Sequence, residues 1–279
     1  VFFTHSLVSD WNHGNAHFLR GVMSELVDRG HEAIAYEPAD GWSRRNLIAD
    51  RGEAAVADFH RRFPKLKAET YSPAPDLEAM LDRADVVLVH EWTDPGLVAR
   101  LGAARRAGAP CTLLFHDTHH RAVSAGTDIS GLDLDGYDGV LAFGEVLSEL
   151  YRRQGWGRQV FTWHEAADTR VFRPHPEIVP RRDLVWVGNW GDGERSDTLR
   201  AYLLEPVRRL CLSATIHGVR YPDDALSELS DAGVDYRGWL ANADVPQAFA
   251  RHRVTVHVPR RPYVAQLPGI PTIRVFEAL

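Results

Sequence analysis

The chain has 279 residues, of which 44% are hydrophobic and 25% charged, and its formal net charge is −6. This length suffices for two α/β domains that each bury a core, and the composition excludes collagen-like, disordered and membrane-embedded classes. The negative charge argues against nucleic acid as a partner, because binding to a phosphate backbone needs a positive face.

Strands and helices alternate along the first half of the chain. A helix is predicted at 16–29, where Phe18, Leu19 and Val22 share one face, and Gly30 closes it. The other predicted elements are strands at 1–4, 31–36, 85–89, 111–115 and 138–143 and helices at 94–107 and 145–153. Such alternation predicts a parallel sheet covered by helices on both faces.

Three prolines between Phe172 and Arg182 interrupt this pattern, which then restarts. The predicted elements of the second half are strands at 184–187, 214–217, 234–236 and 254–258 and helices at 195–209, 223–230 and 243–251. We therefore expect an α/β protein with two Rossmann-like parallel-sheet domains, residues 1–170 and 184–279, joined by a proline-rich connection at 171–183. Ligands bind in clefts between such domains.

Both ends of the chain and both cysteines suggest a trimmed cytoplasmic protein. The chain starts without Met in a predicted strand and stops inside a predicted helix, so we expect it to be trimmed at both ends, with the second domain incomplete. We find no apolar run of membrane-spanning length and no signal sequence at the start, which predicts a cytoplasmic location. Cys111 and Cys211 lie beside apolar runs without CxxC spacing, so we expect two buried free thiols.

The loop at 5–15 follows a strand and precedes a helix, so it lies at the carboxyl edge of the predicted sheet, where ligands collect. Gly14 at the helix entry would let a backbone N–H approach a phosphate. The alternative is that Asn12 or Asn15 simply caps the helix. A single glycine is a weak signal, since the loop has no GxGxxG pattern.

The last stretch, PGIPTIRVFEAL at 268–279, joins a loop to a helix with the chemistry of an anion site. The free N–H groups at Thr272 and Ile273 and the helix dipole favour a phosphate there. Arg274 adds a permanent cation, and Glu277 is a carboxylate able to accept two hydrogen bonds from a ribose diol. The alternative is an ordinary βα unit.

Two clusters of Asp and His residues have side chains of the types found in metal sites. Asp117, His119 and His120 lie within four loop residues, which rarely converge on one ion without a preset turn. Asp133 and Asp135 mimic a D-x-D metal–nucleotide motif, but they lie in a turn rich in Gly and Asp, which favours a surface turn. We expect no metal ion and no organic cofactor.

The sequence RVFEAL resembles the helix that carries the ribose-binding glutamate in retaining glycosyltransferases of the GT-B fold, those like glycosyltransferase family 4. Glu277 is the matching residue. A second glutamate usually lies eight residues earlier in that family, and this chain has Gly269 there. The acidic partner is therefore absent from the match, although the glycine leaves room for a phosphate to approach the backbone.

Further segments resemble the same family in the expected order. They are GNAHFLRGVMSELVDRGHEAIAYEP, DVVLVHEW, TLLFHDTHHR, VWVGNWGDGERSDTLRAYLLEP and YRGWLANADVPQAFARHRVTVHVP. Within the family, SDWNHGNAHFLRG, FHDTHHR, FGEVLSELY and GIPTIRVFEAL look most like the CgeB-like spore-maturation glycosyltransferases of bacterial glycan pathways.

The resemblance implies roles for several residues. His116 would lie beside the donor sugar, with a core histidine as the alternative, and Arg195 would neutralise the diphosphate. Gly238 and Trp239 would hold the nucleobase, unless Trp239 is a core aromatic. In the family the first loop faces the donor phosphates, which the resemblance places at Gly14. His13, His90 and Glu91 would face the acceptor.

The implied reaction moves a sugar from a nucleoside diphosphate sugar to a hydroxyl of a glycan, a lipid-linked or a small-molecule acceptor. Arg195 or Arg274, with the N–H groups of Thr272 and Ile273, would stabilise the leaving phosphate without a metal. Retention by a front-face displacement is expected from the resemblance. The alternatives are a sugar-nucleotide epimerase or hydrolase on the same scaffold, and a degenerate binder that has lost catalysis.

Overall fold

The computed structural model describes residues 1–191 and 193–279, and the chain forms two parallel sheets. The strands of the first sheet are β1 (Phe2–Phe3), β2 (Ile34–Pro38), β3 (Lys67–Tyr71), β4 (Val86–His90), β5 (Thr112–Asp117), β6 (Gly139–Ala142) and β7 (Val160–Thr162). The strands of the second are β8 (Arg182–Val187), β9 (Ala214–His217), β10 (Asp235–Tyr236) and β11 (His252–Thr255).

The two sheets have related strand orders. Within the described residues the first has the order β3-β2-β1-β4-β5-β6-β7 and the second β10-β9-β8-β11, and neighbouring strands run parallel. In both sheets the first strand in sequence lies centrally and the chain winds outward in two directions. The carboxyl ends on either side of this switch point form a crevice, the usual ligand position in open α/β sheets.

Helices cover both sheets. The first half contains α1 (Asn15–Asp28), α2 (Trp42–Arg51), α3 (Glu53–Arg62), α4 (Leu77–Leu81), α5 (Pro95–Arg106), α6 (Arg121–Ser124), α7 (Gly126–Ser130) and α8 (Glu145–Gln154). The second contains α9 (Ser196–Leu199), α10 (Glu205–Leu210), α11 (Asp223–Asp231), α12 (Val245–Ala250), α13 (Arg261–Ala265) and α14 (Ile273–Ala278). A π-helical stretch, Arg200–Leu204, joins α9 to α10, and a 3₁₀ turn, Asn242–Asp244, precedes α12.

The predicted fold class, two parallel-sheet α/β halves facing across a cleft, is confirmed. The sequence patterns missed the helices α2, α3, α4, α6, α7 and α13 and the strands β3 and β7. Strand β3 reads KAETY and lies at the sheet edge, where most of its side chains are exposed, so no apolar run marks it. None of the helices among the described residues combines the length and apolar character needed to cross a bilayer.

Strand β4 shows how the first core is built. Val87 and Val89 pack into one apolar cluster and Leu88 into another, because successive side chains point to opposite faces of the sheet. Leu267 and Ile270, which follow α13, pack into the same cluster as the two valines. The chain therefore crosses from the second half back onto the first before α14 begins.

The loop at 5–15 is held by two buried charged side chains from other elements. Glu37 on β2 accepts hydrogen bonds from the N–H of Leu7 at 2.7 Å and of Val8 at 3.2 Å, and from the Ser6 hydroxyl at 3.0 Å. Arg20 on α1 donates to the carbonyls of Leu7 at 2.8 Å and Val8 at 2.9 Å. The loop conformation is thus fixed before any ligand binds.

Only one of the two cysteines is buried, which corrects the sequence prediction. Cys111 precedes β5 and lies in the first core, whereas Cys211 is exposed; both are free thiols. Cys211 has a left-handed backbone with φ of 51° at the end of α10, so its side chain belongs to the turn and not to the following apolar strand.

Gly136 tests the packing between α5 and the turn before β6. A Cβ atom at Gly136 would lie 2.2 Å from the Gly102 carbonyl oxygen, and backbone cannot move aside cheaply. We expect Gly136→Ala to lower the free energy of unfolding by about 2–3 kcal/mol, as overpacking does. Urea unfolding measures the change. Gly126→Ala is the matched control, since no described atom outside its chain neighbours lies within 4 Å of its added Cβ. Equal stability of the two variants would contradict this packing.

Candidate functional site

A cavity of about 570 Å³ lies between the two sheets at their carboxyl edges. Its walls are built from the first loop and the segments that follow β4, β5, β8, β9, β10 and β11. The contributing stretches are 10–15, 186–189, 217–220, 239–242 and 272–274, with His5, Trp42, Glu165 and residues near 90, 118 and 257–263. The cleft expected between the two halves is therefore present, and its volume suits a ligand of nucleotide size.

A buried ion pair of the first half also contacts the second half. The Asp10 carboxylate pairs with the Arg20 guanidinium at 2.8 Å, and both side chains are nearly inaccessible to solvent. The same Asp10 oxygen accepts a hydrogen bond at 3.0 Å from the backbone N–H of Asn242, which belongs to the second half. Because a buried charge needs partners, Asp10 favours the closed arrangement of the two halves.

Asn12 of the first loop also reaches across the cleft, whereas Asn15 bonds within the first half. Asn12 accepts a hydrogen bond from the Asn189 side chain at 2.8 Å, and Asn15 donates to the Glu165 carboxyl at 2.5 Å. Gly14, which lines the cavity, is the N-cap of α1. The alternative in which Asn12 or Asn15 caps this helix is therefore wrong.

Arg195 is a partly buried cation of the cavity wall. Its guanidinium donates to the Val258 carbonyl at 3.1 Å and to the carbonyl and side-chain oxygens of Asn189 at 2.8 and 2.6 Å. It lies 5.1 Å from the centre of the Trp186 ring. Burial, followed by the charge of Arg260, lowers the pKa of Arg195 to about 10, so Arg195 remains charged at neutral pH. A bound anion would offset the cost of removing this charge from water.

Two further arginines of the same wall have carboxylate partners. Arg260 donates to Glu194 at 2.5 Å, and Arg274 pairs with Glu277 three residues later. Arg195, by contrast, has hydrogen bonds to neutral oxygens. Within the described part of the chain, Arg195 is therefore the arginine of these three whose charge no directly bonded carboxylate balances.

Glu277 does not line the cavity as the described residues form it. It is buried and paired with Arg274, and among the described residues its Oε1 atom has no hydrogen-bond partner. Burial raises the pKa of Glu277 to about 7, against the lowering effect of Arg274. Gly269, where the family has its other glutamate, has φ of 83° in an exposed turn and is also outside the cavity wall. Its position requires a glycine-like backbone.

Thr272, Ile273 and Arg274 line the cavity as predicted, but a carboxyl group already faces the helix start. Glu165 interacts with the backbone N–H of Ile273 and with Asn15. Burial raises the pKa of Glu165 to about 8, and the charge of Glu277 adds to this increase. Glu165 is therefore largely protonated at neutral pH, which removes the repulsion that its charge would exert on a bound phosphate.

Three histidines form a row along the first-half wall. The ring centres of His5 and His13 are 5.0 Å apart, and those of His13 and His90 are 5.9 Å apart. Burial lowers the pKa of all three below the usual range, to about 4 for His5, so the rings are neutral at neutral pH. His13 and His90, predicted to face the acceptor, do line the cavity.

His116 and Glu91 lie behind the cavity wall, which corrects the expectation that both contact substrate. His116 packs with ring centres 4.9 Å from Trp163 and 5.8 Å from Phe18, and burial lowers its pKa to about 3. This position supports the core-histidine alternative. Glu91 accepts hydrogen bonds from the N–H and hydroxyl of Thr118 at 3.1 and 3.2 Å, and so fixes a residue that does line the cavity.

The two residues predicted to hold the nucleobase differ in position. Trp239 lines the cavity, with the guanidinium of Arg51 5.5 Å from its ring centre, so the core-aromatic alternative is not supported. Gly238 has φ of 65°, which its glycine permits, and its carbonyl accepts from the Gly218 N–H at 2.8 Å. Gly238 is not among the described residues that line the cavity.

The carboxylates of the two clusters that could suggest a metal site are hydrogen-bonded to neighbouring protein groups. Asp117 accepts hydrogen bonds from the His119 N–H at 3.0 Å and the Tyr151 hydroxyl at 2.7 Å. Asp133 pairs with Arg106 and accepts from the Asp135 N–H, which is the predicted surface turn. In the ranges 1–191 and 193–279 no group of three or more His, Cys, Asp or Glu side chains is arranged to hold a metal ion. Asp192, in the glycine-rich loop after β8, lies outside the described residues.

Sequence reasoning missed several residues that shape the cavity. Asp10 and Asn242 provide one of the contacts between the halves, Asn189 orients Arg195, and Glu165 faces the helix start. Asn189 follows a predicted strand, so its place at the carboxyl edge was a usable signal. Glu165 lies in a segment with no predicted element, and nothing in its neighbours indicates burial.

Glu165 gives the site a testable pH dependence. Its pKa is about 8 in the folded protein and 4.5 in an unperturbed chain, so the folded state retains a proton that the unfolded state releases. The resulting stabilisation is complete below about pH 4.5 and is lost as the pH rises through 8. We expect Glu165→Gln, which mimics the protonated acid, to reduce the fall in Tm between pH 6 and pH 9 by about 5 °C.

Differential scanning calorimetry at both pH values measures this effect. Glu149→Gln is the control, because Glu149 is exposed on α8. If Glu165→Gln and the wild type lost equal Tm over this range, the buried, protonated state of Glu165 would be wrong.

Comparison with known proteins agrees with this architecture. Residues 195–279 match the family described as glycosyl transferase-like, whereas none of the curated proteins matches the sequence. A solved alpha-glucosyltransferase in complex with UDP and a 13-mer DNA containing a HMU base has a TM-score of 0.59 at 12% identity, over 91% of this chain and 70% of that chain.

Two other solved structures give similar comparisons. A glycosyltransferase from Rickettsia africae ESF-5 has a TM-score of 0.57 at 11% identity, over 91% of this chain and 71% of that chain. A mutant of S. aureus TarM, in complex with fondaparinux, alpha-GlcNAc-glycerol and UDP, has a TM-score of 0.50 at 12% identity, over 64% of this chain and 38% of that chain. The chain therefore has the two-domain α/β fold of the GT-B glycosyltransferases, and its residues 195–279 match the glycosyl transferase-like family.

Proposed function

We propose that this protein is a glycosyltransferase that moves a sugar from a nucleoside diphosphate sugar to an acceptor hydroxyl. The observation that carries the proposal is the partly buried Arg195 in the wall of an interdomain cleft, bonded only to neutral oxygens among the described residues. The donor binds with its diphosphate at Arg195, and the acceptor enters from the first-half side. The solved alpha-glucosyltransferase and TarM, both in complex with UDP, share the fold and lend support to this interpretation.

The charge of the cavity wall supports an anionic ligand. Among the described lining residues there are four arginines, Arg195, Arg220, Arg260 and Arg274, and two carboxyl groups, Asp10 and Glu165. Arg260 and Arg274 have carboxylate partners, so the positive charge of the wall depends most on Arg195, although the chain as a whole has a net charge of −6. A diphosphate placed there gains charge-assisted hydrogen bonds from these guanidinium groups.

The same arginines are suited to the bond-breaking step. Negative charge develops on the leaving diphosphate as the bond to the sugar breaks, and a preorganised cation lowers the barrier most when it lies where that charge appears. Arg195 is already oriented by Asn189 and Val258 and needs no rearrangement. Arg274 adds a second cation at the same wall.

The two carboxyl groups of the wall are poor candidates for a covalent nucleophile. Asp10 is committed to Arg20 and Asn242, and the raised pKa of Glu165, about 8, keeps it largely protonated at neutral pH. This argues against a covalent glycosyl-enzyme intermediate. In line with the resemblance, we propose retention by a front-face displacement, in which the leaving diphosphate accepts the acceptor proton. His13 and His90 bind the acceptor, while Glu91 and His116 act behind them as positioning residues.

On the donor side, Trp239 contacts the nucleobase. Glu277 binds the ribose after its pair with Arg274 opens, or positions Arg274 if the pair stays closed. We further propose, in line with the resemblance, a cytoplasmic enzyme of bacterial glycan synthesis, related to family 4 and the CgeB-like enzymes, that does not act on nucleic acid.

Arg195→Gln tests the central contact. The variant keeps hydrogen-bonding capacity but removes the charge, so we expect the best binder among UDP, GDP, TDP and ADP to lose about 2 kcal/mol, or roughly thirtyfold in Kd. Isothermal titration calorimetry measures it. Arg209→Gln is the control, since Arg209 is exposed on α10 of the same half. The proposal fails if both variants bind the nucleotide as tightly as the wild type.

Metal independence has its own test. Because Arg195 and Arg274 provide the positive charge at the proposed diphosphate position, we expect nucleotide Kd to change less than about twofold when EDTA replaces Mg²⁺ in the titration. A loss of more than about tenfold in EDTA would show that a divalent cation carries the diphosphate, against this part of the proposal.

A further inference from the structure

Two tryptophans of the first half are exposed inside the cavity mouth. Trp42, at the start of α2, has 39% of its surface exposed, and Trp92, just after β4, has 46% exposed; both line the cavity. Leaving a large aromatic ring in water forgoes the free energy of its burial, so exposed aromatic rings in a concave wall mark a ligand surface.

Trp42 is held in place from behind. Its ring makes an edge-on contact with Trp11 at 5.2 Å between ring centres, and the Trp11 indole N–H donates to Asp50 at 3.2 Å. Across the cleft the Arg220 guanidinium lies 6.0 Å from the Trp42 ring centre. The ring is thus oriented before a ligand arrives, which lowers the entropy cost of binding.

Trp92 is also held in place, by a guanidinium group against one face of its ring. The Arg121 guanidinium lies 4.4 Å from its ring centre, and Arg121 also donates to the Glu91 carbonyl at 2.9 Å. The His119 ring contacts Trp92 edge-on at 5.4 Å. A cation against one face stabilises the ring and fixes its orientation.

His5 lies between the two tryptophans and completes a continuous surface. Its ring centre is 6.3 Å from that of Trp42 and 6.4 Å from that of Trp92. We call Trp42, His5 and Trp92 the aromatic platform. Burial lowers the pKa of His5 to about 4, so the neutral ring both donates and accepts hydrogen bonds at neutral pH.

The platform has the chemistry that a sugar ring requires. A pyranose presents weakly positive C–H groups on its faces and hydroxyl groups around its edge, and the faces of aromatic rings are negative. His5, His13 and Asn12 offer hydrogen-bonding groups beside the platform. Phosphate or carboxylate ligands would instead be drawn to the arginines of the opposite wall.

We propose that the aromatic platform is the acceptor subsite and binds a neutral saccharide, whose hydroxyl is thereby turned toward the donor at Arg195. This inference rests on the proposed function, since it names the acceptor class of the same cleft. It selects a glycan, free or carried on a lipid, over the other acceptors that the fold allows.

Single-stranded nucleic acid is the competing occupant, because bases also stack on exposed aromatic rings. The net charge of −6 opposes a phosphate backbone. The platform residues belong to the first half, whereas Arg195, Arg260 and Arg274, where we place the donor diphosphate, belong to the second half. The saccharide is therefore the occupant that the observations favour.

The test is a titration of the intact protein, saturated with whichever of UDP, GDP, TDP or ADP binds it. The probes are maltotriose, mannotriose, triacetylchitotriose and a single-stranded DNA oligomer, followed by saturation-transfer NMR and calorimetry. We expect at least one trisaccharide to bind and the DNA not to bind. Trp42→Ala and Trp92→Ala should each weaken that trisaccharide by roughly five- to tenfold and leave nucleotide affinity within about twofold.

Tyr202→Ala is the matched control, because Tyr202 is an aromatic residue with 69% exposure outside the cavity wall. The inference is overturned if nucleotide binds but none of the trisaccharides does, if the DNA binds in their place, or if the Trp and Tyr variants bind the trisaccharide equally. Trisaccharide binding that depends on the platform, with none of the four nucleotides binding, would instead support the subsite and contradict the proposed function.

Discussion

The site depends on the contacts of the buried Asp10 carboxylate. It neutralises Arg20, which holds the first loop by its backbone carbonyls, and it accepts a hydrogen bond from Asn242 in the second half. Breaking that contact would leave a buried acceptor without one of its partners, at a cost of about 1–3 kcal/mol. The two carboxyl edges therefore face one another at a fixed spacing, and the cavity between them belongs to both halves.

Charge balance within this cavity explains why an anion is expected there. Arg260 and Arg274 have carboxylate partners, whereas the directly bonded partners of Arg195 are neutral oxygens. Glu165, the carboxyl group nearest the start of α14, holds a proton at neutral pH because burial raises its pKa. Among the described residues, a bound diphosphate would thus meet Arg195, whose charge no directly bonded carboxylate balances, which is the electrostatic condition for binding it and for stabilising it as a leaving group.

Local patterns predicted the architecture, but long-range partners decided the site. Strand and helix alternation and the break near Pro174 were sufficient to predict two parallel sheets and a cleft, because periodicity and proline act locally. Strand β3 is polar and mostly exposed, so it has no local apolar pattern that would predict it. Whether a polar side chain reaches the cleft depends on residues far away in sequence: Glu165 meets Asn15, 150 positions earlier. His116 and Glu277 matched family motifs, yet the first packs against Trp163 and the second pairs with Arg274.

The most direct measurement of the central claim is a crystal structure of the intact protein with the nucleoside diphosphate that binds it best. The account predicts the diphosphate in the cavity between the two sheets, within about 3 Å of the Arg195 guanidinium. It would be contradicted if the diphosphate lay outside this cavity, or if it bound within the cavity but made its contacts to other groups and left Arg195 bonded to Asn189 and Val258 alone.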